Sequence, residues 1–161
     1  MEVVGEKGRV TEAKIGKLRY LKACFQESQR MKPAVTAFTR ETQQDMVLGG
    51  YQIPRGKVVL IMMSHTMMQE DNFDNSRLFQ PERWLRGSPT YHNAHPFAAK
   101  PFGFGPRMCI GRRFAELEVY VVVVKLLQQF RLEYHQEPVG MATEFVVRPD
   151  RKIKMKFVPR C

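Results

Sequence analysis

The chain has 161 residues, of which 43% are hydrophobic and 26% charged, and this size and composition are typical of one globular domain. Its net charge of +10 favours an acidic partner, but no aromatic residues are interleaved with the basic ones, so we do not expect a nucleic-acid-binding module. The sequence shows no apolar stretch long enough to cross a bilayer and no signal or transit peptide. Its three cysteines (Cys24, Cys109 and Cys161) do not have the spacing typical of disulfides or zinc sites, and they favour a reducing compartment.

The first half of the chain predicts one helix followed by short strands. Residues 1–13 are polar and predict a poorly ordered start, whereas apolar residues recur at three- to four-residue steps from Lys14 to about Arg30 and predict an amphipathic helix. Strands are predicted at Val35–Thr39 and Lys57–Met62. Between them, the pair Gly49-Gly50 predicts a tight hairpin turn.

The second half predicts a long irregular segment, one long helix and further short strands. Residues 63–100 contain turn-forming residues throughout, with a short helix expected near His65–Met68. Ile110 to about Phe130 is apolar on most sides and predicts a buried helix. Short strands are expected around Gly140 and Pro149, and the alternation of lysines with apolar residues at 152–157 predicts a half-buried strand.

The most informative segment is Phe102–Gly111, in which one cysteine lies between two glycines directly before the long helix. Gly105 and Gly111 lack a Cβ, so the backbone there can approach a flat ligand closely. The helix dipole and the neighbouring basic residues favour a thiolate at Cys109, and these are the requirements for an axial ligand to haem iron. The alternative interpretation is a glycine-rich turn in which Cys109 is a small buried hydrophobic residue. The basic residues that favour a thiolate at Cys109 are Lys100, Arg107, Arg112 and Arg113.

The pattern Phe-x-x-Gly-x-Arg-x-Cys-x-Gly at 102–111 resembles the haem-binding signature of the cytochrome P450 family at every defined position. Two more family motifs occur upstream in the expected order. Glu27-Ser28-Gln29-Arg30 is similar to the Glu-x-x-Arg of the family's K helix, and Pro81-Glu82-Arg83-Trp84 resembles its Pro-Glu-Arg-Phe segment, with tryptophan in place of phenylalanine. The resemblance implies mainly α structure with small β-sheets, as in the C-terminal part of the P450 fold, over residues 14–161.

The resemblance also implies roles for individual residues. Cys109 is expected to bind the iron of haem b (iron protoporphyrin IX), with Phe102, Gly105 and Gly111 shaping the loop. Glu27, Arg30 and Arg83 are expected to form a buried network that supports this loop; read alone, a Glu27–Arg30 pair is a surface ion pair of little worth. Arg40, Arg107 and His95 are expected to contact haem propionates, although His95 is about as well explained as a surface histidine. Ala34, Val35, Ala37 and Phe38 are expected to contact an apolar substrate, although ordinary strand packing explains them equally well.

The motif that ends in Gly111-Arg112-Arg113 is most similar to mitochondrial members of the family. This implies a mitochondrial location on the matrix side of the inner membrane, with the endoplasmic reticulum membrane as the alternative, and peripheral membrane association of the full-length protein. The implied electron donor is an acidic [2Fe–2S] ferredoxin that contacts Lys22, Arg112 and Arg113, although the second expected lysine position is Gln26.

The chain begins shortly before the K-helix motif, so the family's oxygen-activating helix lies outside this sequence. We therefore expect a fragment of a monooxygenase that inserts one atom of O₂ into a small apolar, steroid-like or xenobiotic substrate. Without its distal wall, much apolar surface on the helix 110–130 should be exposed. The alternatives are a non-catalytic truncated isoform that binds haem or ferredoxin and, supported only by net charge, a nucleic-acid-binding module.

Overall fold

The computed structural model describes residues 8–143 and 146–160, which form four α-helices and eight short strands in these ranges. The helices are α1 (Glu12–Gly16), α2 (Arg19–Met31), α3 (Met63–Met67) and α4 (Arg112–Gln129). The strands are β1 (Phe38–Glu41), β2 (Met46–Leu48), β3 (Tyr51–Ile53), β4 (Val58–Ile61), β5 (Phe130–Glu133), β6 (Met141–Thr143), β7 (Val147–Pro149) and β8 (Lys156–Pro159). Helices combined with small sheets confirm the expected fold class.

The predicted helix from Lys14 to Arg30 is two helices. Thr11 caps α1 by accepting a hydrogen bond from the Lys14 amide at 3.4 Å, and α1 ends at Gly16, a residue that disfavours helix continuation. The apolar spacing of Ile15 and Leu18 continues across the break, which is why periodicity alone did not reveal it. The expected poorly ordered start at 1–13 lies outside the described residues up to position 7, while α1 already begins at Glu12.

The strands pair in four separate two-stranded antiparallel sheets: β1 with β4, β2 with β3, β5 with β8, and β6 with β7. The β2–β3 hairpin turns at Gly49 and Gly50, whose φ angles of 55° and 85° suit glycine. The strand predicted at Val35–Thr39 begins only at Phe38. Before it, the carbonyls of Ala34 and Thr36 instead accept hydrogen bonds from Val147 and Ser64.

The segment 63–100 wraps against α2 and contains two short helices. α3 begins two residues earlier than the helix predicted at His65–Met68, and a 3₁₀ helix covers Pro81–Trp84 and packs on α2. Phe73 and Met67 are each 1% exposed and anchor the segment. The long loop is therefore held by a core of its own.

The helix α4 differs from the buried helix that its sequence predicts. Only Tyr120, Val124 and Gln128 are buried, whereas Phe114 is 72% and Leu117 45% exposed, and Ile110 lies fully exposed before the helix begins at Arg112. The apolar run that favoured burial contacts this chain along one side, through a cluster in which Phe25, Tyr120 and Ile15 pack together. The expected apolar surface on this helix is thus exposed.

The C-terminal region contains the strands expected near Gly140 and Pro149, as β6 and β7. The strand predicted at 152–157 is wrong in its position, because regular pairing with β5 starts only at Lys156. Residues Ile153 and Met155 remain exposed instead of packing on one face. Among the described residues, no helix has the length and apolar content to cross a membrane.

Candidate functional site

The loop 102–111 is held by its own backbone hydrogen bonds. The Cys109 amide donates to the Phe102 carbonyl at 2.9 Å, and the Met108 amide donates to the Gly105 carbonyl at 3.0 Å. The φ angles of Gly103 and Gly105 are 70° and 71°, a region that residues with a Cβ rarely adopt. Glycine at these two positions therefore allows the double turn that presents Cys109.

Cys109 is exposed and lies just before α4, with its carbonyl 3.4 Å from the Arg112 amide. Gly111 has an ordinary negative φ of −80°, so it is not required for a left-handed turn. A Cβ at Gly111 would lie 3.9 Å from the Cys109 sulfur. This is an ordinary van der Waals distance, so the sulfur itself would not exclude a side chain at Gly111.

The chemistry around Cys109 fits a flat, largely apolar ligand that carries acidic groups. Phe104 and Ile110 expose apolar surface on either side of the cysteine. Arg107 is exposed and makes no hydrogen bond or ion pair with any residue in the described ranges. In those same ranges no three His, Cys, Asp or Glu side chains cluster as a metal site. A porphyrin that is ligated by one thiolate and has carboxylates for an arginine matches this set.

The two other residues expected near haem propionates are in separate segments. Arg40 lies on β1, where its guanidinium covers the Phe38 ring at 4.7 Å and donates to the Thr39 carbonyl at 2.7 Å. His95 is exposed; its Nδ1 accepts from the Phe97 amide at 3.2 Å. Neither pairs with a carboxylate in the part of the chain that is described, and no contact joins them to Arg107.

Glu27, Arg30 and Arg83 form a buried cluster where α2 packs against the 3₁₀ helix Pro81–Trp84. Arg30 binds Glu27 in a bidentate manner, with both N–O distances at 2.9 Å, and Arg83 Nε donates to Glu27 Oε1 at 3.1 Å. Glu27 and Arg30 are completely buried and Arg83 is 2% exposed. Burial opposes ionisation of Glu27, but hydrogen bonds from Arg30, the Gln80 amide and Trp84, together with the Arg30 charge, hold its pKa below the ordinary value.

Three members of this cluster were missed by sequence reasoning. Trp84 Nε1 donates to Glu27 Oε2 at 2.9 Å and the Gln80 amide donates to Glu27 Oε1 at 3.0 Å. The Phe73 ring lies 5.1 Å from the Arg30 guanidinium carbon and 5.9 Å from that of Arg83. Tryptophan in the Pro-Glu-Arg-Trp motif was the available signal, because an indole N–H can donate to a carboxylate and a phenylalanine ring cannot.

Phe102 connects the cysteine loop to the helices. Its ring stacks on Phe25 of α2 with centroids 6.4 Å apart, and Phe25 meets Tyr120 of α4 edge-on at 5.5 Å. The Arg112 guanidinium carbon lies 5.8 Å from the Phe102 ring centroid. Because the Phe102 carbonyl also accepts the Cys109 amide, this one residue sets the loop against both helices.

The three residues expected to contact a ferredoxin differ in whether they already bind other residues of this chain. Lys22 donates to the Gly16 carbonyl at 3.0 Å, and Arg112 pairs with Glu116 at 2.8 Å. Arg113 is exposed, and no partner contacts it within the ranges that the structure covers. Arg113 is therefore the one of the three whose side chain is not already paired among the described residues.

The comparisons with known proteins agree on one family. The family model described as Cytochrome P450 matches residues 1–157. The chain is 40% identical over 142 residues to the mitochondrial 1,25-dihydroxyvitamin D(3) 24-hydroxylase of Rattus norvegicus, covering 88% of this chain and 27% of the relative. It is 36% identical over 147 residues to the probable cytochrome P450 301a1, mitochondrial, of Drosophila melanogaster, covering 89% and 26%.

A solved structure, the retinoic acid bound cyanobacterial CYP120A1, superimposes with a TM-score of 0.85 at 31% identity. It covers 94% of this chain and 35% of that chain. The present chain thus spans 27% of the length of the first relative and similar shares of the others. The similarity includes the cysteine loop and the Glu27 cluster together.

Proposed function

Since this chain belongs to the cytochrome P450 family, we propose that it supplies the haem-thiolate region of a monooxygenase. The observation that carries the proposal is the exposed Cys109 in a glycine-shaped loop, with apolar side chains beside it and Arg107 without a partner in the described residues. A buried structural cysteine, the alternative interpretation, would not be solvent-exposed. In the proposal, Cys109 is the axial ligand.

The roles of the chain's residues follow from their positions. Gly105 and Gly111 would let the backbone approach the ligand plane, and Phe104 and Ile110 offer exposed apolar surface beside the cysteine. Arg107 donates hydrogen bonds to a propionate, and Arg40 and His95 are the further candidates for that role. When bound, haem b supplies the O₂ activation that the thiolate favours by donating electron density.

The substrate that we propose is a small apolar molecule. Two proteins similar to this chain carry the names of such ligands, 1,25-dihydroxyvitamin D(3) and retinoic acid. The segment Ala34–Phe38 is the candidate lining, because Val35 is exposed and the Ala34 carbonyl bonds Val147, which connects the segment to the β6–β7 hairpin. This segment offers apolar side chains without a charged group between them.

A mitochondrial location and a [2Fe–2S] ferredoxin donor complete the proposal. Several relatives are named as mitochondrial. The basic surface that includes Lys22, Arg112 and Arg113 suits an acidic donor, since opposite charges steer association. Peripheral association with the matrix side of the inner membrane belongs to the same proposal for the full-length protein.

The test is haem uptake by the chain, followed by reduction and addition of carbon monoxide. A thiolate-bound haem produces a red-shifted Soret band in the difference spectrum, and we expect Cys109→Ser to abolish it. Cys24→Ser is the matched control and should retain the band, because Cys24 lies on α2 and is not part of the loop. An unchanged band in Cys109→Ser would refute the ligand assignment.

Turnover distinguishes the enzyme from the non-catalytic alternative. The chain is loaded with haem and supplied with reduced ferredoxin, O₂ and an apolar substrate, and oxygenated product is measured. Product formation supports the monooxygenase. Tight binding of haem or ferredoxin without product is expected both of a non-catalytic binding protein and of a region that supplies only the haem-thiolate ligand to a longer enzyme.

A further inference from the structure

A cavity of about 340 Å³ lies between α2, the segment 83–103 and the first two turns of α4. None of Cys109, Arg107 and Arg40 lines it, but Phe102 of the cysteine loop and His95 are part of its wall. Its volume is near the lower end of the ~300–1,000 Å³ typical of small-molecule sites. A ligand of about one substituted ring therefore matches its size.

The cavity combines aromatic walls with polar groups that lack protein partners. The aromatic residues lining it are Phe25, Phe73, Trp84, Tyr91 and Phe102. Gln26, Gln29 and Asn93 also line it, and none of these three side chains makes a hydrogen bond to any residue in the described ranges. Unused donors beside aromatic rings are typical of a site that recognises a flat ligand with a polar end.

The uncompensated charge in the cavity is positive. Arg86 is exposed and has no ion pair within the described residues, and the Lys100 ammonium contacts only the Phe97 ring face at 5.8 Å. The one acidic residue in the lining, Glu116, is already paired with Arg112 at 2.8 Å. Arg83 is used by Glu27. Two cations thus remain for a ligand, and no carboxylate faces them unpaired.

His92 and His95 also line the cavity, and neither adds a negative charge that would offset Arg86 and Lys100. His92 Nε2 lies 2.6 Å from the Asn72 carbonyl, and its Nδ1 lies 3.9 Å from Asp74. His95 Nδ1 accepts from the Phe97 amide. Both imidazoles are therefore held by the segment itself.

We propose that this cavity binds a small aromatic carboxylate. The ring packs among Phe25, Trp84 and Phe102, and the carboxylate accepts hydrogen bonds from Arg86 and Lys100. The aromatic walls provide the apolar contact, and a charge-assisted hydrogen bond in a partly enclosed site is stronger than a neutral one. The site borders the cysteine loop through Phe102, excludes Cys109 and Arg107, and includes no residue of the proposed substrate segment.

The test measures binding of 4-(trifluoromethyl)benzoate to the full chain by ¹⁹F NMR. The neutral control ligand is 4-(trifluoromethyl)benzamide, which has the same shape without the charge. Trp84 is the only tryptophan of the chain and lines the cavity, so its fluorescence reports independently where the probe binds. We expect the acid to bind at least ~10-fold more tightly than the amide and to change the Trp84 emission.

Variants locate the site. Lys100→Gln and Arg86→Gln should each weaken binding about 10-fold, the loss of one charge-assisted hydrogen bond, and Ala99→Trp should fill the cavity and abolish binding. Lys154→Gln makes the same charge change at an exposed site elsewhere, and Arg107→Gln removes the proposed propionate partner. Neither control should alter the dissociation constant.

Several outcomes overturn the proposal. Weakening by Lys154→Gln equal to that by Lys100→Gln would show attraction to net charge only, and weakening by Arg107→Gln would place the probe on the haem surface. Equal affinity for acid and amide, or no binding of either, would also refute it. Because Lys100 and Arg86 are tested separately, misfolding of one variant leaves the other decisive.

Discussion

The Glu27 cluster and the Cys109 loop differ in how completely their polar groups are paired with other residues of this chain. Glu27 accepts hydrogen bonds from four residues, and both arginines bond backbone carbonyls in addition, so none of the three charges lacks a partner. Cys109, by contrast, is exposed between exposed apolar side chains.

The difference distinguishes polar groups that stabilise the fold from polar groups that remain available to a ligand. A buried charge cluster of this kind holds its elements only when every member is paired, since one missing partner leaves a charge in a low-dielectric interior. An exposed thiol beside Phe104 and Ile110 contributes little to stability and leaves surface for a ligand. The cluster joins α2 to the segment 67–84, and the loop carries the proposed chemistry.

The largest expected effect is that of Glu27→Ala. Removing this carboxylate leaves the Arg30 and Arg83 charges buried without an acidic partner, which should cost about 3–5 kcal/mol in the free energy of unfolding. Urea denaturation followed by circular dichroism measures it. Glu116→Ala removes the exposed partner of Arg112 and should cost less than about 1 kcal/mol. Equal losses would mean that the buried cluster has no special structural role.

Acid should produce a smaller loss through the same carboxylate. The pKa of Glu27 is lowered in the folded chain, so its ionised form contributes stability that is fully present above the ordinary pKa of 4.5 and is lost as the pH falls through the lowered folded-state value. Protonation removes the charge but keeps the shape, unlike truncation to alanine. Unfolding free energies measured across this range in wild type and Glu27→Gln test it, and the variant should lack this component.

Thiol labelling compares the two regions kinetically. In a Cys161→Ser background, Cys109 should react with a disulfide reagent at least ~10-fold faster than Cys24, because exposed thiols react faster than shielded ones. Burial on α2, followed by the Glu82 charge, raises the pKa of Cys24 and slows it further. Single variants, Cys24→Ser and Cys109→Ser, assign each phase. Equal rates would contradict the difference in exposure.

The smallest effect is expected at the exposed apolar residues just before α4 and in its first turn. Ile110→Ser and Phe114→Ser remove apolar groups that this chain does not bury, so each should change the unfolding free energy by less than about 0.5 kcal/mol. Val124→Ala on the buried side should cost more, on the order of 1–3 kcal/mol. A large loss in either serine variant would show that this surface is covered within the chain in solution.

Several features were predictable from the residues because their causes are local. Turns are predictable at Gly49-Gly50 and at Gly105 before Pro106, because residues other than glycine rarely adopt the positive φ angles found there. The helix α2 is predictable from the spacing of its apolar residues. The motif spacing around Cys109 was sufficient to identify the family. In contrast, the end of α1 at Gly16 was missed because the apolar period continues through it.

The sequence by itself determined the cysteine loop, the helix-forming segments and the family, because these depend on residue types at fixed short spacings. Only the tertiary structure decided that Trp84 and the Gln80 amide join Glu27, more than fifty residues away in the chain, and that Phe102 links the loop to two helices. It also decided that one side of α4 is buried and the other exposed. Burial depends on which elements are present to pack against, and periodicity along one helix contains no information about its neighbours.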